Sequence, residues 1–412
     1  MATGPSHPRT VRDEAVRVAR RLQQFGFEAL FAGGCVRDRL LGIEPREFDI
    51  ATSATPKEVK RVFPRAIGVG ESFGVMLLRS GGATFEIATF RTDGGYLDGR
   101  HPTEVRFAGA EEDARRRDFT INGLFERPES GEVVDFVGGR GDLEARLLRA
   151  IGDPAARLAE DRLRALRAVR FAARFELSVD PATETAILAL DGDLFGVSRE
   201  RLGQELRRMF FERHRSRAAS LLERWGLDRV LLGARGDSEE QRRLASLPAD
   251  ASPMTSLAAW LLDRGESTDP IAVAERLQGG LGLSNAEREE LAAVLRSVES
   301  LRHEWGRAGI ARRRRLGMEP GFDPAVAIRE AEDPGEGQAA IAFLAEYGPD
   351  RSPERLVRGR DLIEAGFVPG RRFGDLLEAA YDAQLEGRLH SRDEALAFVR
   401  DLDQGTDLPT NR

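Results

Sequence analysis

In 412 residues the sequence holds one cysteine, five histidines and two lysines, Lys57 and Lys60. The single thiol, Cys35, excludes a disulfide framework and a cysteine-based zinc site. Directly after a glycine pair, it reads as a small buried filler rather than a nucleophile. His214, His303 and His390 stand alone, with no paired His-Asp motif of the kind that marks a phosphohydrolase. No apolar run approaches the ~18 residues needed to span a bilayer. The opening MATGPSHPRTVRDEAV lacks the apolar stretch of a secretory signal, and a cytoplasmic protein is expected. Aromatic residues make up 7%, against 41% hydrophobic and 32% charged, a soluble and helix-leaning composition. A net charge of −7 excludes a uniformly basic nucleic-acid binder but leaves room for local basic tracts. With lysine so scarce, those tracts are arginine. The length predicts roughly two to four domains.

What is present concentrates between Phe31 and Thr52, FAGGCVRDRLLGIEPREFDIAT. The pair Gly33-Gly34 lets backbone N–H groups approach an anion, and Arg37 can reach a phosphate. Glu47 and Asp49 are two positions apart, so on a β-strand they aim at one face and Phe48 at the other. Two acids held close repel unless a cation lies between them, and the pair reads as a Mg²⁺ ligand set. A phosphate cradle beside a metal site describes a nucleotidyl-transfer centre.

Around this stretch, apolar Val11, Ala15, Val18 and Leu22 predict a helix from Pro8 that ends at Gly26. Residues 28–32 read as a strand, and 36–41 as a helix start facing the phosphate site. Thr55-Pro56 opens a further helix. Residues 69–78 and 84–90 read as strands, and Glu86 on the second is a candidate third acid. The segment 91–102, with Tyr96, Asp98 and Arg100, reads as a loop shaping substrate access or as a simple surface connection. Arg117 and Asp118 follow in RRRDFTINGL, which can also be a helix start behind a solvated arginine run. Residues 132–136 form a predicted strand, with Asp142 placed to cap the next helix.

After Asp153-Pro154 the pattern is almost continuous helix. Steps of three residues place Asp161, Arg164, Arg167 and Arg170 on one slanted polar ridge, with Leu163, Leu166 and Val169 on a parallel apolar one. One acid heading a row of arginines favours an anionic or hydrogen-bonding ligand over a solvated face. Ser198 is the expected N-cap of the helix carrying Arg201, and Ser284 with Glu287 has capping-box spacing. Arg312, Arg313, Arg314 and Arg315 form a basic run, either a solvated helix turn or an RNA phosphate contact.

The motifs resemble the class II tRNA nucleotidyltransferase/poly(A) polymerase family, which includes the bacterial CCA-adding enzymes. GGCVRD (33–38) with EFDIATSATP (47–56) is similar to its opening signature, RRRDFTINGL (115–124) to its second motif and DFVGGRGDL (135–143) to its hinge. EDRLRALRAVRF (160–171) resembles its base-reading helix, SRERLGQEL (198–206) the helix after it, and 358–399, more weakly, its C-terminal segment. Residues 240–350 carry no motif matched to it.

The resemblance implies an α+β fold in four parts. A catalytic head with a small, mainly antiparallel sheet (1–150) precedes an all-α neck (151–235), body (236–350) and tRNA-binding tail (351–412). It implies that Gly34 and Arg37, beside Gly33, contact the nucleoside triphosphate, and that Glu47 and Asp49 hold two Mg²⁺. Arg117 would lie near the sugar and phosphates with Asp118 beside it. Asp161 and Arg164 would present a Watson–Crick-like edge to the base, with Arg167 and Arg170 behind them.

The expected reaction adds C and A from CTP and ATP to the tRNA 3′ end without a nucleic-acid template. A poly(A) polymerase, a partial CC- or A-adding enzyme and a catalytically silent RNA-binding protein are the alternatives. Monomer and homodimer both remain open. Two departures stand out: Glu47 replaces the family's usual aspartate, and Asn122-Gly123 its usual Asn-Ala. The extra methylene moves the carboxylate by ~1.5 Å, against Mg²⁺ ligand distances of about 2.0–2.1 Å.

Overall fold

The computed structural model describes residues 10–70, 74–93, 105–233, 240–266, 269–348 and 351–405. Tyr96, Asp98 and Arg100 lie outside the described residues. The chain divides into two compact units, Met1–Gly236 and Asp237–Arg412.

The first unit begins with α1 (Val11–Gln24), where Thr10 and Asp13 form a capping box and Ala15, Val18 and Leu22 are buried. Strand β1 (Ala29–Ala32), α2 (Gly34–Leu40), β2 (Ile50–Thr52) and α3 (Pro56–Val62) follow. Thr55 caps α3 with Glu58 in a second capping box, and Pro56 fills the first turn. The predicted strand over 69–78 is instead a hairpin, β3 (Ile67–Gly70) and β4 (Val75–Ser80), because Gly74 turns the chain with φ 81°. Then come β5 (Ala83–Thr89), a short antiparallel pair β6 (Arg91–Asp93) and β7 (Val105–Phe107), and α4 (Ala110–Arg115). A single 3-10 turn (Thr120–Asn122) leads to β8 (Leu124–Glu126), β9 (Val133–Asp135) and α5 (Gly139–Glu144).

Seven strands form one sheet in the order β3-β4-β5-β2-β1-β8-β9. Every pairing is antiparallel except β2 with β5. The alternation of β5 sets its faces: Phe85 and Ile87 are buried, while Glu86 between them is exposed. Asp142 does not cap α5. Asp135 accepts from the backbone N–H groups of residues 137–140, while Asp142 accepts from Thr120 Oγ1 at 2.7 Å.

A two-residue parallel pairing, β10 (Leu147–Leu148) with β11 (Ser178–Val179), brackets the next two helices. These are α6 (Pro154–Glu160) and α7 (Leu163–Arg174), followed by α8 (Pro181–Ala189), α9 (Arg199–Phe211), α10 (Arg215–Arg224) and α11 (Asp228–Leu232). Leu163, Leu166 and Val169 are buried where α7 packs on α9 and α10. The expected polar ridge is broken at its head. Asp161 is the C-cap of α6 in extended conformation, so it stands on a turn before α7 rather than within a helix.

The second unit is helical throughout its described residues. It runs through α12 (Arg242–Ser246), α13 (Pro253–Asp263), α14 (Pro270–Leu281), α15 (Asn285–His303) and α16 (Ile310–Leu316). After these come α17 (Phe322–Glu332), α18 (Glu336–Ala345), α19 (Gly359–Glu364), α20 (Arg371–Leu385) and α21 (Arg392–Gln404). The predicted capping box of Ser284 and Glu287 opens α15. Glu332 gathers Arg243, Arg302 and Arg329 from three helices. Burial opposes its ionisation, but hydrogen bonds from these arginines win and hold its pKa at about 2.

The run 312–315 also makes partners within the protein. Arg312 pairs with Glu304, Arg313 donates to the Trp305 carbonyl, and buried Arg314 donates to the Leu385 carbonyl at 2.7 Å. Arg315 pairs with Asp382 at 2.6 Å. The four side chains anchor α16 to the end of α15 and to α20. Among the described residues no helix is long and apolar enough to cross a membrane.

Candidate active site

Strand register assembles the first half of the site. Ile50 pairs with Phe31 on β1 and with Ile87 on β5. One step back, Asp49 lies beside Ala32, whose N–H donates to its carbonyl at 3.0 Å, and level with Glu86 on the other side. The acid pair therefore sits on the extended lead into β2 rather than on the strand itself. The alternation still holds there: Phe48 turns away from the acids and its ring lies 5.1 Å from that of Phe31 in the core. The chain leaves β1 straight into Gly33, so the glycine turn begins next to Asp49. Gly33 has φ 65°, and a Cβ there would come 2.8 Å from Arg117 Nη1. Only glycine lets Arg117 lie over the turn.

Glu47 and Asp49 line the cleft, and Glu86 lines an adjoining pocket that Asp49 shares. The loss of surrounding water at Asp49, then the negative charge of Glu86, outweighs the pull of Arg117. With Glu47 adding to the push, its pKa rises to about 6. Burial and then Glu47 raise Glu86 as well, against Arg91. Among the described residues, no three of His, Cys, Asp and Glu enclose a metal position by themselves. Mg²⁺ is normally held by one or two carboxylates, with water and substrate phosphates completing its octahedron. Glu47 and Asp49 on one cleft, with Glu86 level with Asp49 on the neighbouring strand, fit that donor set.

The second half faces the first across a cleft of about 600 Å³. Gly33, Gly34, Arg37, Glu47, Asp49, Arg117 and Asp118 line it on one side, and Asp161, Arg164, Arg167 and Arg170, on and just before α7, on the other. Asp161 accepts from Arg201 of α9 at 2.6 Å and from the Leu163 N–H. Arg164 is mostly buried, with Nη1 donating to Glu160 and to the Arg157 carbonyl. Arg170 is buried against Glu205 at 2.6 Å. Arg167 reaches across to Asp118 at 2.6 Å. Burial disfavours ionised Asp118, but the Arg167 charge and donors from Asn122, Arg167 and Phe119 prevail, and its pKa is about 2.

Arg37 lines the cleft as well. Its guanidinium is mostly buried, donates to Asp38 and, at 2.6 Å, to Asn122 Oδ1, and lies 4.5 Å from the Phe175 ring centre. These contacts hold it beside the glycine turn. Sequence reasoning passed over three supporting residues. Asp113 is buried and carries both Arg116 and Arg117. Glu205 and Asn122 hold Arg170 and Arg37. The four-residue step from Arg201 to Glu205 along α9 was the available signal for that wall. Asn122-Gly123 also has a local reason: a Cβ on Gly123 would meet Val137 Cγ2 at 2.7 Å. Cys35 is buried as expected, and burial followed by the Asp49 charge pushes its thiol up to about 11.

Residues 29–149 match the Poly A polymerase head domain. The CCA-adding enzyme of Limosilactobacillus fermentum is 32% identical over 379 residues, 90% of this chain and 92% of that protein. The CCA-adding enzyme of Geobacillus stearothermophilus is 40% identical over 234 residues, 57% of each chain. The crystal structure of the Bacillus stearothermophilus CCA-adding enzyme in complex with CTP superposes with a TM-score of 0.81 at 28% identity. That match covers 96% of this chain and 98% of the other. Fold, cleft and relatives together define a nucleotidyltransferase. More narrowly, the chain belongs to the class II tRNA nucleotidyltransferase/poly(A) polymerase family, on the branch of the CCA-adding enzymes.

Proposed function

We propose that this chain adds CCA to the 3′ end of tRNA from CTP and ATP, selecting each nucleotide with protein side chains. The observation that carries this reading is the single cleft in which Glu47 and Asp49 face Asp161 and Arg164. The carboxylates come from the head and the base-facing groups from the neck, a four-part division of the chain being part of the reading. Glu47 and Asp49, with Glu86 beside them, would hold two Mg²⁺, which would supply charge neutralisation at the α-phosphate and a lowered pKa for the attacking 3′-hydroxyl.

The chain's own residues do the positioning. Gly33 and Gly34 let the backbone approach the triphosphate, and Arg117 lies over that turn beside Asp49. Asp161 accepts from an exocyclic amine while Arg164 donates to a ring nitrogen or carbonyl oxygen. Arg201 fixes the Asp161 carboxylate, so the acceptor is oriented before a base arrives.

Incubating the protein with tRNA lacking CCA, Mg²⁺ and labelled CTP or ATP tests the reading. Incorporation should stop after C, C and A, and Asp49→Asn should lower it about a hundredfold or more. An open-ended A tail would instead identify a poly(A) polymerase, and tRNA binding without incorporation a silent relative.

A further inference from the structure

The register of the sheet carries one open face outward from the acid pair. Asp49 lies level with Glu86 on β5, Glu86 pairs with Leu77 on β4, and Leu77 pairs with Ile67 on β3. Directly paired residues share a face, so Ile67, Leu77 and Glu86 lie on the side of the sheet that presents Asp49. Further along the same two strands, the pair Arg79 and Thr84 stands on that face too. The opposite face carries Met76, Leu78, Phe85 and Ile87, all buried.

On the Asp49 side, α4 covers only part of the sheet, where Ala110 and Ala114 pack with Leu30, Ala51 and Phe125. Beyond β2 the face is open among the described residues. Ile67 is 64% exposed, Arg79, Thr84 and Glu86 are exposed, and Leu77 is half-buried. Aliphatic side chains left in water across three strand spacings, about 14 Å, beside a reactive centre mark a docking surface.

A nucleoside triphosphate in the cleft against α7 leaves an RNA acceptor two ways to reach Asp49. One passes the pocket bordered by residues 43–47, where the carboxylates of Asp38, Glu44, Glu47, Asp49 and Glu212 outnumber Arg37, Arg46 and Arg174. The other passes the pocket at the edge of the open face, where Asp49 and Glu86 meet Arg91, Arg116 and Arg117. A strand with a charge on every phosphate is repelled by the first balance and drawn by the second.

We propose that the open face of β3, β4 and β5 is the platform for the unpaired 3′ end of the acceptor RNA. Its last bases lie on Leu77 and Ile67, a backbone phosphate meets Arg79, and the terminal 3′-hydroxyl comes to the acids at Asp49. This rests on the CCA-adding reading and deepens it by giving the acceptor a place. Aliphatic side chains touch the flat face of any base and read none of its edges. Ends of different sequence are therefore held alike as the chain grows.

Binding of tRNA lacking CCA, followed without turnover, tests the platform. Leu77→Asp and Ile67→Asp should each raise its Kd about tenfold. Arg79→Ala should lower the slope of log Kd against log salt by about 0.7. The same tRNA trimmed back to its last base pair should bind parent and variants equally, which neither a folding defect nor a contact to the duplex would allow. A Kd unchanged by both aspartates, a slope unchanged by Arg79→Ala, or an equal loss with the trimmed RNA would each overturn the proposal. An inactive parent chain would refute CCA addition alone, and the binding measurement would still decide the platform.

Discussion

Glu47 has to place its carboxylate beside Asp49 with one methylene more than the family's aspartate. It stands on the lead into β2 rather than within a hydrogen-bonded strand, and its side chain is exposed to the cleft. A longer arm can fold back there without disturbing the sheet. Glu47→Asp should therefore leave the rate of CTP addition within about tenfold of the parent. A gain of several orders of magnitude would reveal an impaired natural site. Asp118 offers a second test at the same scale. Its pKa in the folded chain, about 2, lies below the about 3.9 expected when unfolded. The stabilisation is complete above about pH 4 and lost as pH falls toward 2, an effect of about 2 kcal/mol. Urea denaturation between those pH values should show the loss, and Asp118→Asn should flatten that limb.

At the scale of elements, most of the first unit is legible because its signals are local. Thr55-Pro56, Ser284 with Glu287 and the alternation around Phe48 and Glu86 each name their structure through caps or period. Where the expectation failed, a longer-range partner decided. Asp135 reached four N–H groups before Asp142 could act as a cap, and Gly74 cut one expected strand into a hairpin. The carboxylates around β2 and Asp161 before α7 could be placed by motif. That Arg37 is held by Asn122, 85 positions away, and lies against Phe171 and Phe175 is something no local pattern reports. The partners of the basic run 312–315 are equally invisible to a local pattern, since they come from the end of α15 and from α20. If those arginines hold helices together, Arg312→Ala should leave the slope of log Kd for tRNA against log salt unchanged. A phosphate contact would lower the slope by about one unit.

On the scale of the whole molecule, every residue of the cleft comes from the first unit. CTP should accordingly slow amide exchange within 10–233, above all in α7 and around residues 33–37, and leave the helices of 240–405 nearly unchanged. Protection concentrated in the second unit would place nucleotide binding elsewhere. The heavy use of arginine fits this division. Many of these side chains are paired inside the protein, as around Glu332 and Asp113, so a net charge of −7 coexists with an arginine-lined cleft.

Asp161 stands between α6 and α7, on neither helix. Its carboxylate and carbonyl accept from the Leu163 and Arg164 N–H groups that open α7, so a short replacement that keeps a side-chain acceptor keeps that helix start. Anyone wishing to breed a polymerase with altered letters has here a position to vary among asparagine, serine and threonine first. Arg201 is the one companion to vary with it.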